Sequence, residues 1–541
     1  MVEIGAMFLD LPPELIQQIL SKCSTRDFLE VALSCRTVYG IASSCRGVIL
    51  YHLRQTPGTR NLDTQSYSSK RLFHLLAKYA FRQLYGSQFH SVQTAFDFGY
   101  DRLDVKASTL DSQILALAIR GQQKVHLFRI RRGRLQLICR FSFPWDHPGA
   151  VDVLKTTFDG DNGFYILQRF TPGLDGNEMN ARHPFVKQAM QSNSNGIFYL
   201  SQYSLRSPND PVRICAFPDH SDYEPLALAA TPGGNFAISW QLARDYSEHE
   251  VVLYTAQIES NSGLRSGVVD FSYSSCVLLD GRRHRCEDDR SIQSRSIRDF
   301  PPHGQGPVVG LAFNDRSSQL LYRYRAETLY SSFQMIEASH FPIQPTLYRN
   351  SCPTQFTGSL TLLFSIGVPF YGTHETRVQN GFATCHWKYL SFGIATHREE
   401  GWTVACLMKS SAVCRADWTI VARLWGFQNP SSSLGCIVAA SRLGTRIAVA
   451  NWKTIYIWAL EPNALIEQNA TGFYPPSSWP VGSEVIELRP MVLSLEAVCF
   501  QLCFAQNENE LVALTDKGLM SWDLSPSGRG QKISHQMRLG K

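Results

Sequence analysis

The chain is poor in charge and lacks any long apolar run. Asp, Glu, Lys and Arg make up 18% of its 541 residues. That is below the usual quarter and argues against a mostly disordered chain. The longest stretch free of those four residue types, Asn350 to His374, is broken by Pro353, Gly358, Gly367 and Pro369. A spanning helix needs about 20 predominantly apolar residues in a row, so no membrane helix is expected. No cationic segment followed by an apolar one opens the sequence, so no secretory signal is expected either. The 14 cysteines are scattered singly and contain no C-x-x-C. They read as reduced thiols used as small hydrophobes in a cytoplasmic or nuclear protein. Asn469-Ala470-Thr471 has the glycosylation pattern, but in that setting it carries no sugar. A net charge of +6 over this length is too mild to imply nucleic acid or a membrane surface as partner.

Catalytic patterns are missing too. There is no Walker loop, no G-x-S-x-G and no H-E-x-x-H. Gly304, Gly306 and Gly310 have the wrong spacing for a dinucleotide fingerprint, and Pro307 sits where backbone donors would be needed. Cys385 and His386 are adjacent and would point to opposite faces of a strand, which separates a nucleophile from its base. Cys276, His284 and Cys286 lack a fourth ligand at suitable spacing for a metal. Cys499 and Cys503 fall on the same side of a strand and read as core. No catalytic residue, metal or other cofactor is therefore expected.

What is abundant is apolar and aromatic. Apolar residues are 44% of the chain, with 31 Phe, 21 Tyr and 10 Trp. That composition suits strands and broad packed faces. The first part is nonetheless helical. Pro12 and Pro13 place a helix start at Pro13, and Glu14 in the first turn complements the helix dipole. Leu15, Ile16, Ile19 and Leu20 then form one apolar face. Ser24 and Asp27 are spaced as a capping pair, and Phe28, Val31, Ala32, Cys35 and Tyr39 follow at helical spacing. Leu72, Leu75, Leu76, Tyr79 and Ala80 mark a second helical stretch over about 70–84. It reads as a connector; the alternative is a free amphipathic helix on a membrane.

From about Val92 the texture changes. Short apolar strands recur in pairs around polar turns at 114–130, 447–460 and 511–524, with weaker relatives at 226–258 and 308–324. Trp522-Asp523 closes one such strand, where a Trp-Asp pair falls in WD-type blades. A strand pair has a face that must be covered, and radial stacking of similar sheets covers both faces. The expected fold class is mainly β. A small all-α module at 1–50 is followed by a helical linker at 51–90, a β-propeller-like repeat domain of about seven blades at 91–527, and a flexible tail at 528–541. A sandwich is the other arrangement open to these strands.

Two basic clusters stand out. Arg129, Arg131, Arg132 and Arg134 surround Gly133 at a hairpin tip. They read as a solvated turn, or as an anion-binding rim for an acidic or phosphorylated segment. Arg282, Arg283, Arg285 and Arg290 offer the same choice, diluted by Glu287, Asp288 and Asp289, in a surface loop at 281–306.

The N-terminal segment resembles an F-box through Leu11, Pro12, Glu14, Leu15, Ile19, Leu20, Asp27, Leu29, Cys35, Arg36 and Tyr39. It departs from that pattern with Cys23 in place of Leu and Ser34 in place of Val. The stretches 444–462, 485–490 and 509–524 look like the β-repeat region of fungal F-box proteins. The resemblance implies a non-catalytic substrate receptor of a Skp–cullin–F-box ubiquitin ligase. Its partners would be a Skp-type adaptor, the cullin scaffold and an unidentified protein target. Adaptor contacts are expected at Leu11, Pro12, Leu15, Ile16, Ile19, Leu20 and Phe28, each of which could instead serve the module's own core. Nothing in the sequence marks the target-binding residues. Two other classes remain open: a propeller scaffold whose helices pack on its own body without recruiting a ligase, and a propeller enzyme with carboxylates or a metal at the channel mouth.

Overall fold

Local chemistry sets the helical segment. Pro13 occupies the first position of α1 (Pro13–Lys22), where a missing backbone N–H costs nothing, and Glu14 lies in the first turn. α2 (Thr25–Ser34) is capped by Ser24. Its hydroxyl accepts from the backbone N–H of Asp27 at 3.1 Å and donates to the Asp27 carboxylate at 2.8 Å. α3 (Arg36–Ser44), α4 (Arg46–Gln55) and α5 (Ser69–Leu84) complete the module.

The computed structural model describes nearly all of 8–84 and 91–256 outside 57–63, 143–148 and 173–195. Beyond these it describes chiefly the strands between 273 and 426 and, outside 461–485, most of 437–539. The chain divides into two compact units, Asp104–Ser351 on one side and Met1–Leu103 with Cys352–Lys541 on the other.

The first of these units is a run of four-stranded sheets in chain order. Its opening sheet holds β2 (Val105–Leu110), β3 (Ile114–Ile119), β4 (Val125–Arg131) and β5 (Arg134–Phe141), paired antiparallel with their sequence neighbours. The turn from β3 to β4 passes through Gly121 at φ +79°, a left-handed backbone that glycine adopts without Cβ strain. Sheets over 149–217, 223–280 and 308–349 repeat the pattern. The core between the sheets over 149–217 and 223–280 is aromatic: Phe198, Phe217, Phe236, Trp240 and Tyr254. Trp240 donates its indole N–H to the Tyr254 hydroxyl at 3.1 Å, so the largest side chain is buried with its donor satisfied.

The other unit carries the helical module and three sheets. The strands over 359–424 form one sheet, joined by Ile486–Leu488. Within the uncharged stretch at 350–374, Ser359–Phe370 is a strand of that sheet. Strands over 437–459 with Met491–Ser494 form the next. In the last sheet, strands over 499–523 take in β1 (Val92–Asp97), which pairs antiparallel with Gly518–Asp523. Gly518 is required at that junction: at φ +124° a Cβ would run into the carbonyl oxygen of Phe96. The tail, expected to be loose, instead contributes Gln531–Gln536, which runs parallel to β1 and covers its other edge. Seven sheets of four or five strands are thus present among the described residues, and the fold is mainly β after an N-terminal all-α module. All the strand pairs expected from internal similarity, at 114–130, 226–258, 308–324, 447–460 and 511–524, are hairpins of these sheets.

One expectation about faces fails for a local reason. A β-bulge between Cys499 and Gln501 shifts the alternation, so Cys499 packs with Leu502 and Phe504 in the core while Cys503 stays outside that cluster. Burial there pushes the Cys499 thiol up to about 12.

Candidate docking surface

The helical module has its own core: Ile16, Leu20, Phe28, Leu29, Ala32, Val38, Ala42, Val48, Ile49 and Leu53, closed by Leu72, Phe73, Leu76 and Ala80 of α5. Phe73 meets Phe28 and Tyr39 edge-on at 5.9 and 5.3 Å between ring centroids. It was missed in the sequence because the i, i+3, i+4 count over 70–84 is already filled without it. Cys23, one of the two residues that depart from the F-box pattern, packs half-buried against this core. Burial first, and the Asp27 carboxylate second, hold its thiol above the usual range.

Polar residues are buried with it, Thr25 and His52 among them. His52 lies stacked on Phe28 at 4.2 Å. One ring nitrogen, Nε2, is 3.0 Å from the carbonyl of Leu20 and therefore donates to it. The other, Nδ1, is 3.3 Å from the Thr25 hydroxyl and accepts from it. The carbonyl at Leu20 is one of the last in α1, which a helix cannot satisfy from within. His52 thus ties the end of α1 to the start of α2. Desolvation drives its pKa down to about 4, against the opposing pull of the Leu20 hydrogen bond. Arg46 fastens the approach to α5 by donating to the carbonyls of Thr64 and Tyr67.

The expected apolar face of α1 is divided by this packing. Ile16 and Leu20 point inward, as does Phe28 of α2, all at or near zero exposure. Leu15 and Ile19, one position earlier on the 100° spiral, point outward and are 44% and 43% exposed. Pro12 is exposed with them and Leu11 is half-buried at their edge. Leu9, Leu33 and Tyr39 add further exposed apolar surface on the module. Leu15 and Ile19 lie one helical turn apart and so present an exposed apolar pair on α1. Elsewhere on the module, α5 lies against the strand Thr454–Ala459 of its own unit. Tyr79 of that helix senses Arg446, a fully buried arginine that donates to the carbonyl of Glu508 and to Asn509 Oδ1.

The remaining candidates are scattered. Arg129, Arg131 and Arg134 are exposed on the β4–β5 hairpin, and Arg132 and Gly133 fall outside the described residues. The second arginine cluster, His284, Cys286 and Cys385 also fall outside them, as does the side chain of Cys276. His386 lies in a strand whose side chains are not described. Among the described residues no group of three His, Cys, Asp or Glu could hold a metal ion, and no helix is long and apolar enough to cross a membrane.

Residues 8–49 match the F-box domain family. No curated protein matches the chain. Among solved structures, a hydrazine synthase of Kuenenia stuttgartiensis is similar at 8% identity and a TM-score of 0.40, over 79% of this chain and 97% of that one. The Dos1 propeller gives 8% and 0.40, over 82% and 97%. The C-terminal WD40 domain of Sif2 gives 13% and 0.36, over 80% and 98%.

Proposed function

We propose that the chain is a substrate receptor of a Skp–cullin–F-box ubiquitin ligase, in the cytoplasm or the nucleus. Its F-box would dock on the Skp-type adaptor and its propeller-like body would hold a protein target. One observation carries this reading: the segment that matches the F-box family folds into a module that completes its own core and still leaves Leu15 and Ile19 on the surface. Pro12, Leu15 and Ile19 are the adaptor contacts in this proposal, with Leu11 at their rim. Ile16, Leu20 and Phe28 act from beneath by fixing the helices that present them. The kinship of the β-repeat with that of fungal F-box proteins belongs to the same proposal.

The receptor does no chemistry itself and needs no cofactor. It holds the target beside a ubiquitin-charged conjugating enzyme brought by the cullin scaffold, which raises the effective concentration of target lysines. In the scaffold reading the same helices would be sealed against the chain's own body; the exposure of Leu15 and Ile19 favours the receptor instead.

The test is co-purification of the full chain with a Skp-type adaptor. The wild type is expected to retain the adaptor and a Leu15→Asp/Ile19→Asp chain to lose it while keeping its helix content. A wild type that fails to bind, or a double variant that binds equally, rules the adaptor role out.

A further inference from the structure

The β4–β5 hairpin places like charges face to face. Arg131 is directly opposite Arg134 in the register, and Arg129 is opposite Gln136, so all four share one face. That face is exposed. The other face is anchored by Phe128, Ile130 and Leu135, at most 9% exposed. Like charges directly opposite on antiparallel strands destabilise the pair. Cations at the other end of the same sheet are neutralised: Arg120 pairs with Asp104 at 2.9 Å, and Lys106 with Asp152 at 3.0 Å. Arg129, Arg131 and Arg134 have no carboxylate in ion-pair reach among the described residues. The hairpin therefore carries a basic face with no counter-charge among the described residues.

We propose that this face binds an acidic stretch of a partner polypeptide. The planar guanidinium fork matches a carboxylate with two parallel hydrogen bonds. Successive same-face residues on a strand, such as Arg129 and Arg131, lie roughly 7 Å apart. An extended peptide with an acid at every second position repeats its carboxylates at that spacing. Single-stranded nucleic acid is the less suitable occupant, because Arg129, Arg131, Arg134 and Gln136 include no aromatic ring on which a base could stack. The inference goes beyond the receptor reading and does not depend on it: the hairpin lies outside the F-box, and its binding needs no adaptor.

The experiment is a binding titration of the full chain with a fluorescein-labelled peptide of alternating Glu and Ser residues. It is run on the wild type, on Arg129→Gln/Arg131→Gln/Arg134→Gln, on Arg131→Glu and on Arg120→Gln. Oligouridylate is titrated in parallel, and thermal unfolding is followed for each chain. The wild type is expected to bind the peptide, more weakly as salt rises. The triple variant should lose about tenfold in affinity, and Arg120→Gln should bind like the wild type. Arg131→Glu should lose the peptide without unfolding at a lower temperature, since it replaces a like-charge pair with an opposite one. No binding by the wild type, or equal binding by the triple variant, overturns the proposal. Tighter binding of oligouridylate than of the peptide overturns it too. So does weakened binding that appears only with a lowered unfolding temperature, because the arginines would then be serving the fold.

Discussion

His52 shows what one buried titratable side chain does to the module. It is neutral in the folded chain because burial lowers its pKa to about 4, whereas in an unfolded chain it titrates near 6.5. Above pH 6.5 both states are neutral and the module has its full stability. As pH falls from about 6.5 towards 4 the unfolded chain takes up the proton first, so stability drops. The loss is on the order of 3 kcal/mol and is complete once pH is below the folded value. Unfolding of the helical signal should therefore be easier at pH 4.5 than at pH 7, and a His52→Gln chain should lack the share of that slope that belongs to the imidazole. An unchanged slope in the variant would show that His52 is not buried neutral. Nothing in the sequence marks His52, because its partners, Thr25 and the Leu20 carbonyl, lie 27 and 32 residues away.

Among the elements, α1 carries the functional argument, since one helix serves two surfaces. Its start at Pro13 and the Ser24 cap that follows were legible, because both rest on residues within one turn of each other. The division between Leu15 and Ile16 was not. Residues i, i+1, i+4 and i+5 make one broad apolar face, and only packing against α3 and α4 decides which half is buried. That division predicts unequal costs. Leu20→Ala should destabilise the chain by about 2–5 kcal/mol through the cavity it leaves. Leu15→Ala, on the exposed side, should change stability by about 0.5 kcal/mol or less. Denaturant unfolding of the two variants measures the difference, and equal costs would mean that Leu15 is core. The strand at 499–504 teaches the same limit: period-two counting put Cys499 and Cys503 together, and a single bulge separates them.

At the scale of the whole molecule, the hairpins were readable because each is closed by its own turn. The joins made by distant residues were not. β1 at 92–97 finds its partners at 518–523 and 531–536, more than 400 residues further on, and no local pattern encodes that pairing. The consequence for function is that the chain leaving the helical module enters the same sheet as the C-terminal strands, while α5 rests on a neighbouring strand of that unit. In the proposed receptor, the outer side of α1 is completed by a second polypeptide. Amide hydrogen exchange of the full chain, with and without a saturating Skp-type adaptor, tests it most directly. Exchange is expected to slow over α1 and α2 on adding the adaptor, and to stay unchanged over the β4–β5 hairpin. Unchanged exchange across both helices, with the adaptor in excess, would contradict it.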